Sequence, residues 1–105
     1  MIALLNAPVL TAFGTFAYEP IADDDAKRLL LSGFQSFIGH QVTCDILSQL
    51  LGVDIVMNRA QYEQQVGEQA LVFRLKKRVA EGQVLKTIAE INAIGYELAL
   101  LTRKS

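Results

Sequence analysis

The 105 residues include only one histidine, His40, and one cysteine, Cys44. A single cysteine excludes an intramolecular disulfide and a cysteine-based zinc cluster. With one histidine beside it, an ordinary zinc site is not expected either. The sequence has no Gly-rich phosphate-loop signature and no nucleophile elbow. Clustered carboxylates of the kind a two-metal nuclease needs occur only at Asp23-Asp24-Asp25. Cations have no surplus: 10 Lys and Arg face 11 Asp and Glu, for a net charge of −1. Duplex DNA is therefore not an expected partner, because binding it takes many phosphate-neutralising side chains. A nucleotide remains possible if the few cations converge. No apolar run approaches the roughly 20 residues of a membrane helix. Met1 to Leu5 is apolar but short, lacks a basic start, and is interrupted by Asn6 and Pro8. It does not read as a signal peptide, and a cytoplasmic protein is expected.

What the chain does have is apolar surface, with 51 % hydrophobic residues. A domain of this size buries roughly two-thirds of the surface of its unfolded chain. So much apolar surface is hard for one small domain to hide, and a two-fold homodimer is expected. The length suits a single domain over 1–105, without repeats, low-complexity tracts or long linkers.

Ile2 to Leu5 reads as a buried strand, and Thr15 to Glu19 as a second one ended by Pro20. The three aspartates suit the first turn of a helix through Leu31, closed by Gly33. Phe34 to Ile38 reads as extended. Gly39-His40 then opens a helix to about Leu51, with Val42, Ile46, Leu47, Leu50 and Leu51 as its apolar face and Gly52 as its stop. Val53 to Val56 reads as a short strand, and Ala70 to Leu75 as the strongest one. Thr87 and Glu90 fit a capping box for a last helix bearing Ile88, Ile91 and Ile94, and Tyr96 to Thr102 closes the chain as a strand. Interleaved strands and helices predict an α/β domain with a central mixed sheet flanked by helices.

The side-chain type best suited to proton transfer near neutral pH occurs once, at His40. A helix start offers unpaired backbone N–H groups and positive potential, so a phosphate would be held there. Gly39 carries no Cβ to keep a ligand from the main chain. Arg78 and Glu81 form a second constellation after the strongest strand, where a guanidinium clamps phosphate and a carboxylate orients it or a ribose hydroxyl. Asn58-Arg59 is a third, for base or phosphate contacts. Each also has a plainer reading, as a surface histidine, a solvated ion pair and a polar turn. The chemistry that needs fewest groups is metal-free RNA cleavage. The RNA supplies its own nucleophile, the 2′-hydroxyl, and one histidine protonates the departing 5′-oxygen.

At Leu5-Asn6-Ala7, Ile38-Gly39-His40, Asn58-Arg59 and Arg78-Val79-Ala80-Glu81-Gly82-Gln83-Val84-Leu85 the sequence resembles the viral type III anti-CRISPR ring nucleases. The motifs run in order along nearly the whole chain. The resemblance implies a homodimer binding cyclic tetra-adenylate across its two-fold axis and cutting it without metal or other cofactor, to leave a 2′,3′-cyclic phosphate. That ligand is the alarm signal of type III CRISPR defence, and destroying it silences the response. By position, His40 matches the family's general acid, and Arg78 and Glu81 its other catalytic pair. Asn6, Ala7, Gly39, Asn58 and Arg59 fall on positions expected to bind ligand. Two departures stand out: Pro8-Val9 where archaeal viral members carry a polar residue, and Gln41-Val42 in place of a more polar pair. They leave open a module that only sequesters the nucleotide. The high apolar content leaves open a dimeric interaction protein with no enzymatic role.

Overall fold

A computed structural model describes residues 2–6, 10, 12–76 and 88–105. The elements run β1 (Ile2–Leu5), β2 (Phe16–Pro20), α1 (Asp23–Leu31), β3 (Phe34–Ser36), α2 (Gln41–Leu51), β4 (Gln69–Leu75), α3 (Ile88–Ile94) and β5 (Tyr96–Arg103). The strands form one mixed sheet in the order β2-β5-β4-β1-β3. β1 lies parallel to both β3 and β4, with Leu4 opposite Ser36 on one side and Leu71 on the other. β5 runs antiparallel to β4 and β2. The carboxyl ends of β1, β3 and β4 therefore share one end of the sheet.

Strand alternation sorts the core into two layers. Leu4, Leu71, Phe73 and Leu98 face Ala26 and Leu30 of α1, Cys44, Leu47 and Leu51 of α2, and Ile91 of α3. Each fully buried leucine in this layer, such as Leu47, contributes about 1.5–3 kcal/mol of hydrophobic stabilisation. Ala3, Leu5, Ala70, Val72 and Leu101 occupy the opposite face, against Phe37 and Tyr62. Among the described residues, the three helices cover one face, and Tyr62 of the connection before β4 packs on the other. Gln64 belongs to that connection and donates from Nε2 to the Leu101 carbonyl at 2.9 Å. Buried on both faces, Ala70-Leu71-Val72-Phe73 is an unbroken apolar run, as a central strand requires.

Asp23, Asp24 and Asp25 do occupy the first turn of α1, and Arg28 its last. Gly52 caps α2 in the left-handed conformation at φ 71°, its N–H donating to the Ser48 carbonyl. Two expectations change. Val53 to Val56 is not a strand: the Ile55 N–H donates to the Ser48 hydroxyl at 3.0 Å, while Val56 points to solvent, 75 % exposed. Val42 is 39 % exposed, and Cys44 is buried in the helix's apolar face with Ile46, Leu47 and Leu51. Thr87 lies outside the described residues. Among the described residues, no helix is long and apolar enough to cross a membrane.

Candidate functional site

The carboxyl end of the parallel strands gathers most of the chemistry-bearing residues. Half-buried Asn6 follows β1 directly. On one side of it, β3 leads through Phe37, Ile38 and Gly39 to His40. On the other, the chain leaves β4 at Lys76. This is where open parallel sheets place their ligand crevices. Ala7, Arg78 and Glu81 lie outside the described residues.

His40 is the N-cap residue of α2, extended at φ −128° and ψ 121°. Its carbonyl accepts the first helical bond, from Cys44 N at 3.1 Å. The imidazole is exposed and does not cap the helix, and the first turn holds no acidic residue. The leading amides and the positive end of the dipole are therefore not engaged by a carboxylate of the helix itself.

Asn58 and Arg59 reach this turn from 20 residues away in sequence. Asn58 N donates to the Ile38 carbonyl at 2.9 Å. Asn58 Nδ2 donates to the Ser36 carbonyl at 2.9 Å, and Asn58 Oδ1 accepts from Ala60 N at 3.0 Å. Arg59 Nε donates to the Gly39 carbonyl at 3.2 Å. A Cβ on Gly39 would lie 3.2 Å from Arg59 Cγ. So the space that Gly39 leaves open is occupied by the arginine stem. Arg59 is exposed, and its terminal nitrogens have no partner among the described residues. Asn6, Gly39, His40, Asn58 and Arg59 are thus brought to one end of the sheet.

Sequence reasoning missed the groups beneath them. Ser36 is 6 % exposed, and its Oγ accepts from Ile38 N at 3.3 Å. The Cys44 thiol donates to the Ile38 carbonyl at 3.7 Å, and burial, then the nearby Asp45 charge, push its pKa up. At the same end, Tyr96 Oη donates to Asp23 Oδ2 at 2.5 Å. Burial, then that bond and the Asp23 charge, push the phenol up to about 12. Asp25 pairs with Arg28 at 3.5 Å, so two of the three aspartates have protein partners. Among the described residues, no group of three His, Cys, Asp or Glu side chains is placed to hold a metal ion. No local motif marks Ser36, which ends β3, or Cys44, which lies near the start of α2.

The STIV B116-like family model matches residues 2–98. The chain belongs to this family. Relatives within reach of it come from viruses and from a bacterium. Uncharacterized protein ORF117 of Acidianus two-tailed virus is 41 % identical over 91 residues, covering 84 % of this chain and 78 % of the relative. Uncharacterized protein YddF of Bacillus subtilis (strain 168) is 36 % identical over 105 residues, covering 97 % and 96 %. Among solved structures, B116 of Sulfolobus turreted icosahedral virus superimposes with a TM-score of 0.75 at 23 % identity, over 97 % of this chain and 98 % of that one. At that identity the likeness establishes the B116 fold.

Proposed function

We propose that the protein is a cytoplasmic, metal-independent ring nuclease that opens cyclic tetra-adenylate as a homodimer and so switches off type III CRISPR signalling. The observation that carries this reading is the exposed His40 imidazole at the uncapped start of α2, with Asn6 and Arg59 at the same end of the sheet. The scissile phosphate rests on the leading amides of α2 and the free nitrogens of Arg59. The ring's own 2′-hydroxyl oxygen attacks the adjacent phosphorus and gives its proton to water. The bond from phosphorus to the 5′-oxygen breaks, and protonated His40 hands its proton to that oxygen. The product carries a 2′,3′-cyclic phosphate and a free 5′-hydroxyl. Arg78 and Glu81 join His40 as catalytic residues, the guanidinium stabilising negative charge on the non-bridging phosphate oxygens and the carboxylate orienting it or the ribose. Asn6 and Ala7 line the ligand, and Gly39 makes room for the Arg59 stem beside it.

A ring of four identical nucleotides can share a two-fold axis with a dimer, so each chain's histidine serves one of two opposite phosphates. Exposed apolar side chains flank the turn, with Val42 39 %, Val56 75 % and Met57 39 % exposed, which suits burial against a second copy.

The test is incubation of the protein with cyclic tetra-adenylate in EDTA, with chromatography of the products and sedimentation of the protein. Dimers that turn over many rings each, and that leave a ring lacking 2′-hydroxyls intact, are expected. Loss of cleavage in chelator overturns the mechanism. Binding without turnover makes the protein a sequestering module instead.

A further inference from the structure

We infer that Asn58 is a positioning residue, whose side-chain amide holds the Ser36–His40 turn in the conformation that presents His40 to the scissile phosphate. This rests on the ring-nuclease reading for its chemistry, but its geometry stands apart from any ligand.

The turn between β3 and α2 carries no regular hydrogen-bond ladder beyond Phe37, whose N–H donates to the Leu4 carbonyl at 3.0 Å. From there to the helix, Ile38 N donates within the turn to Ser36 Oγ at 3.3 Å, and the carbonyls are held from outside. The Ser36 carbonyl takes Asn58 Nδ2, the Ile38 carbonyl takes Asn58 N, and the Gly39 carbonyl takes Arg59 Nε. Ile38 itself is fully buried, which anchors one end of the turn in the core. His40, two residues on, is exposed. The direction of the imidazole is therefore set by the path of a few backbone bonds between a buried isoleucine and the first turn of α2.

Residue type at 58 is tightly constrained by what the side chain does. Its carbonyl oxygen accepts from the backbone two residues on, an Asx-turn that aspartate also makes. Its NH2 donates across to the Ser36 carbonyl, which aspartate cannot do. Alanine does neither. Both functional ends of the amide are thus engaged within the protein. A ligand contact by Asn58 would have to displace a bond that shapes the site.

The experiment uses Asn58→Asp, Asn58→Ala and, at the far end of the sheet, Gln69→Ala as a control. Far-UV circular dichroism first establishes that each is folded. Because the chain has one histidine, proton NMR without nucleotide gives a single imidazole Cε1–H signal to follow through a pH titration. Asn58→Ala adds no charge, so a moved or broadened signal there reports changed geometry. The second arm measures cyclic tetra-adenylate affinity and single-turnover cleavage. Asn58→Ala and Asn58→Asp should keep affinity within a few-fold and lose rate on the order of 10²-fold, the effect of slight misplacement of a reacting group. Should Asn58→Ala fail to fold, Asn58→Asp, which retains the Asx-turn, decides through the same two measurements. An imidazole signal identical to wild type in the folded Asn58 variants overturns the inference, as does a loss confined to affinity. If wild-type protein neither binds nor cuts the ring, the functional reading fails, while the NMR arm still decides whether Asn58 sets the histidine.

Discussion

Two arginines at opposite ends of the sheet are used in opposite ways. At the amino end of the parallel strands, Arg103 donates from Nη1 to the Gln64 carbonyl at 2.7 Å, from Nε to Ser105 O at 3.3 Å and from Nη2 to the Phe13 carbonyl at 3.4 Å. All three nitrogens tie chain segments together, and the guanidinium sits 6.0 Å from the Phe16 ring centre. At the carboxyl end, Arg59 spends one nitrogen on the Gly39 carbonyl, and its other two have no partner among the described residues. The first arginine is saturated and holds the fold. The second is anchored but unfinished, next to an uncapped helix start and an exposed imidazole. A cation that is fixed at its stem and open at its tip suits the ligand contact proposed for Arg59.

The largest effect expected at the open end is on chemistry. His40→Ala should bind cyclic tetra-adenylate and cut it about 10²–10⁴-fold more slowly, the usual contribution of a general acid. Single-turnover chromatography checks this, and full rate in the variant removes His40 from the mechanism.

The arginines themselves give the next contrast. Arg59→Ala should weaken nucleotide affinity about 10- to 100-fold, as expected on losing charge-assisted bonds worth about 1.5–3 kcal/mol, with little change in Tm. Arg103→Ala should leave affinity alone and cost about 1–3 kcal/mol of stability through its lost carbonyl bonds. Calorimetry of binding and of unfolding on both variants reads the crossing. Equal effects of the two on Tm erase the distinction drawn above.

Sequence alone reached the architecture because its signals were local. The apolar run from Ala70 to Phe73, the aspartates at the start of α1 and Gly52 after α2 each act within a few residues, and the strands and helices expected there are present. Val53 to Val56 misled because its β-branched residues look like a strand. What decides its state is a non-local bond from Ile55 N to the Ser48 hydroxyl. The site was legible for the same reason and to the same limit. Gly39-His40 before a helical stretch identifies the helix start, which the structure places at Gln41 with His40 as N-cap. That Asn58 reaches back to Ser36, or that Tyr96 meets Asp23 across 73 positions, has no local signature. Arg78 and Glu81 were read from a motif and lie outside the described residues.

The pair at Tyr96 and Asp23 makes the carboxyl end sensitive to alkali. The folded phenol is held at about 12, against about 10 for an ordinary tyrosine. Between those values the unfolded chain has lost the proton and the folded one keeps it. Stability therefore falls as pH rises from about 10 towards 12, and the contribution is whole below that window. Tyr62, raised by burial and then by Glu68, adds to the slope in the same direction. The difference between wild type and Tyr96→Phe isolates the Tyr96 share. Urea unfolding from pH 9 to 12 should show a shallower fall in the variant, and identical slopes would remove the pair from the account.

The smallest effect expected lies directly under the site. The Cys44 thiol and Asn58 N both donate to the Ile38 carbonyl, at 3.7 Å and 2.9 Å. The sulfur bond is the long, weak one, so its loss leaves the oxygen satisfied by the amide. Cys44→Ala should then cost stability through a small buried void, roughly 1 kcal/mol, while cleavage stays within a few-fold of wild type. In the native protein the fully buried, protonated thiol should react with a thiol reagent only as fast as the fold opens. Asn58→Ala strikes the same turn but removes the bond for which no second donor is present at the Ser36 carbonyl among the described residues. If Cys44→Ala slows cleavage as much as Asn58→Ala does, the turn is held by packing beneath it. The division between a redundant thiol and an indispensable amide then has no basis.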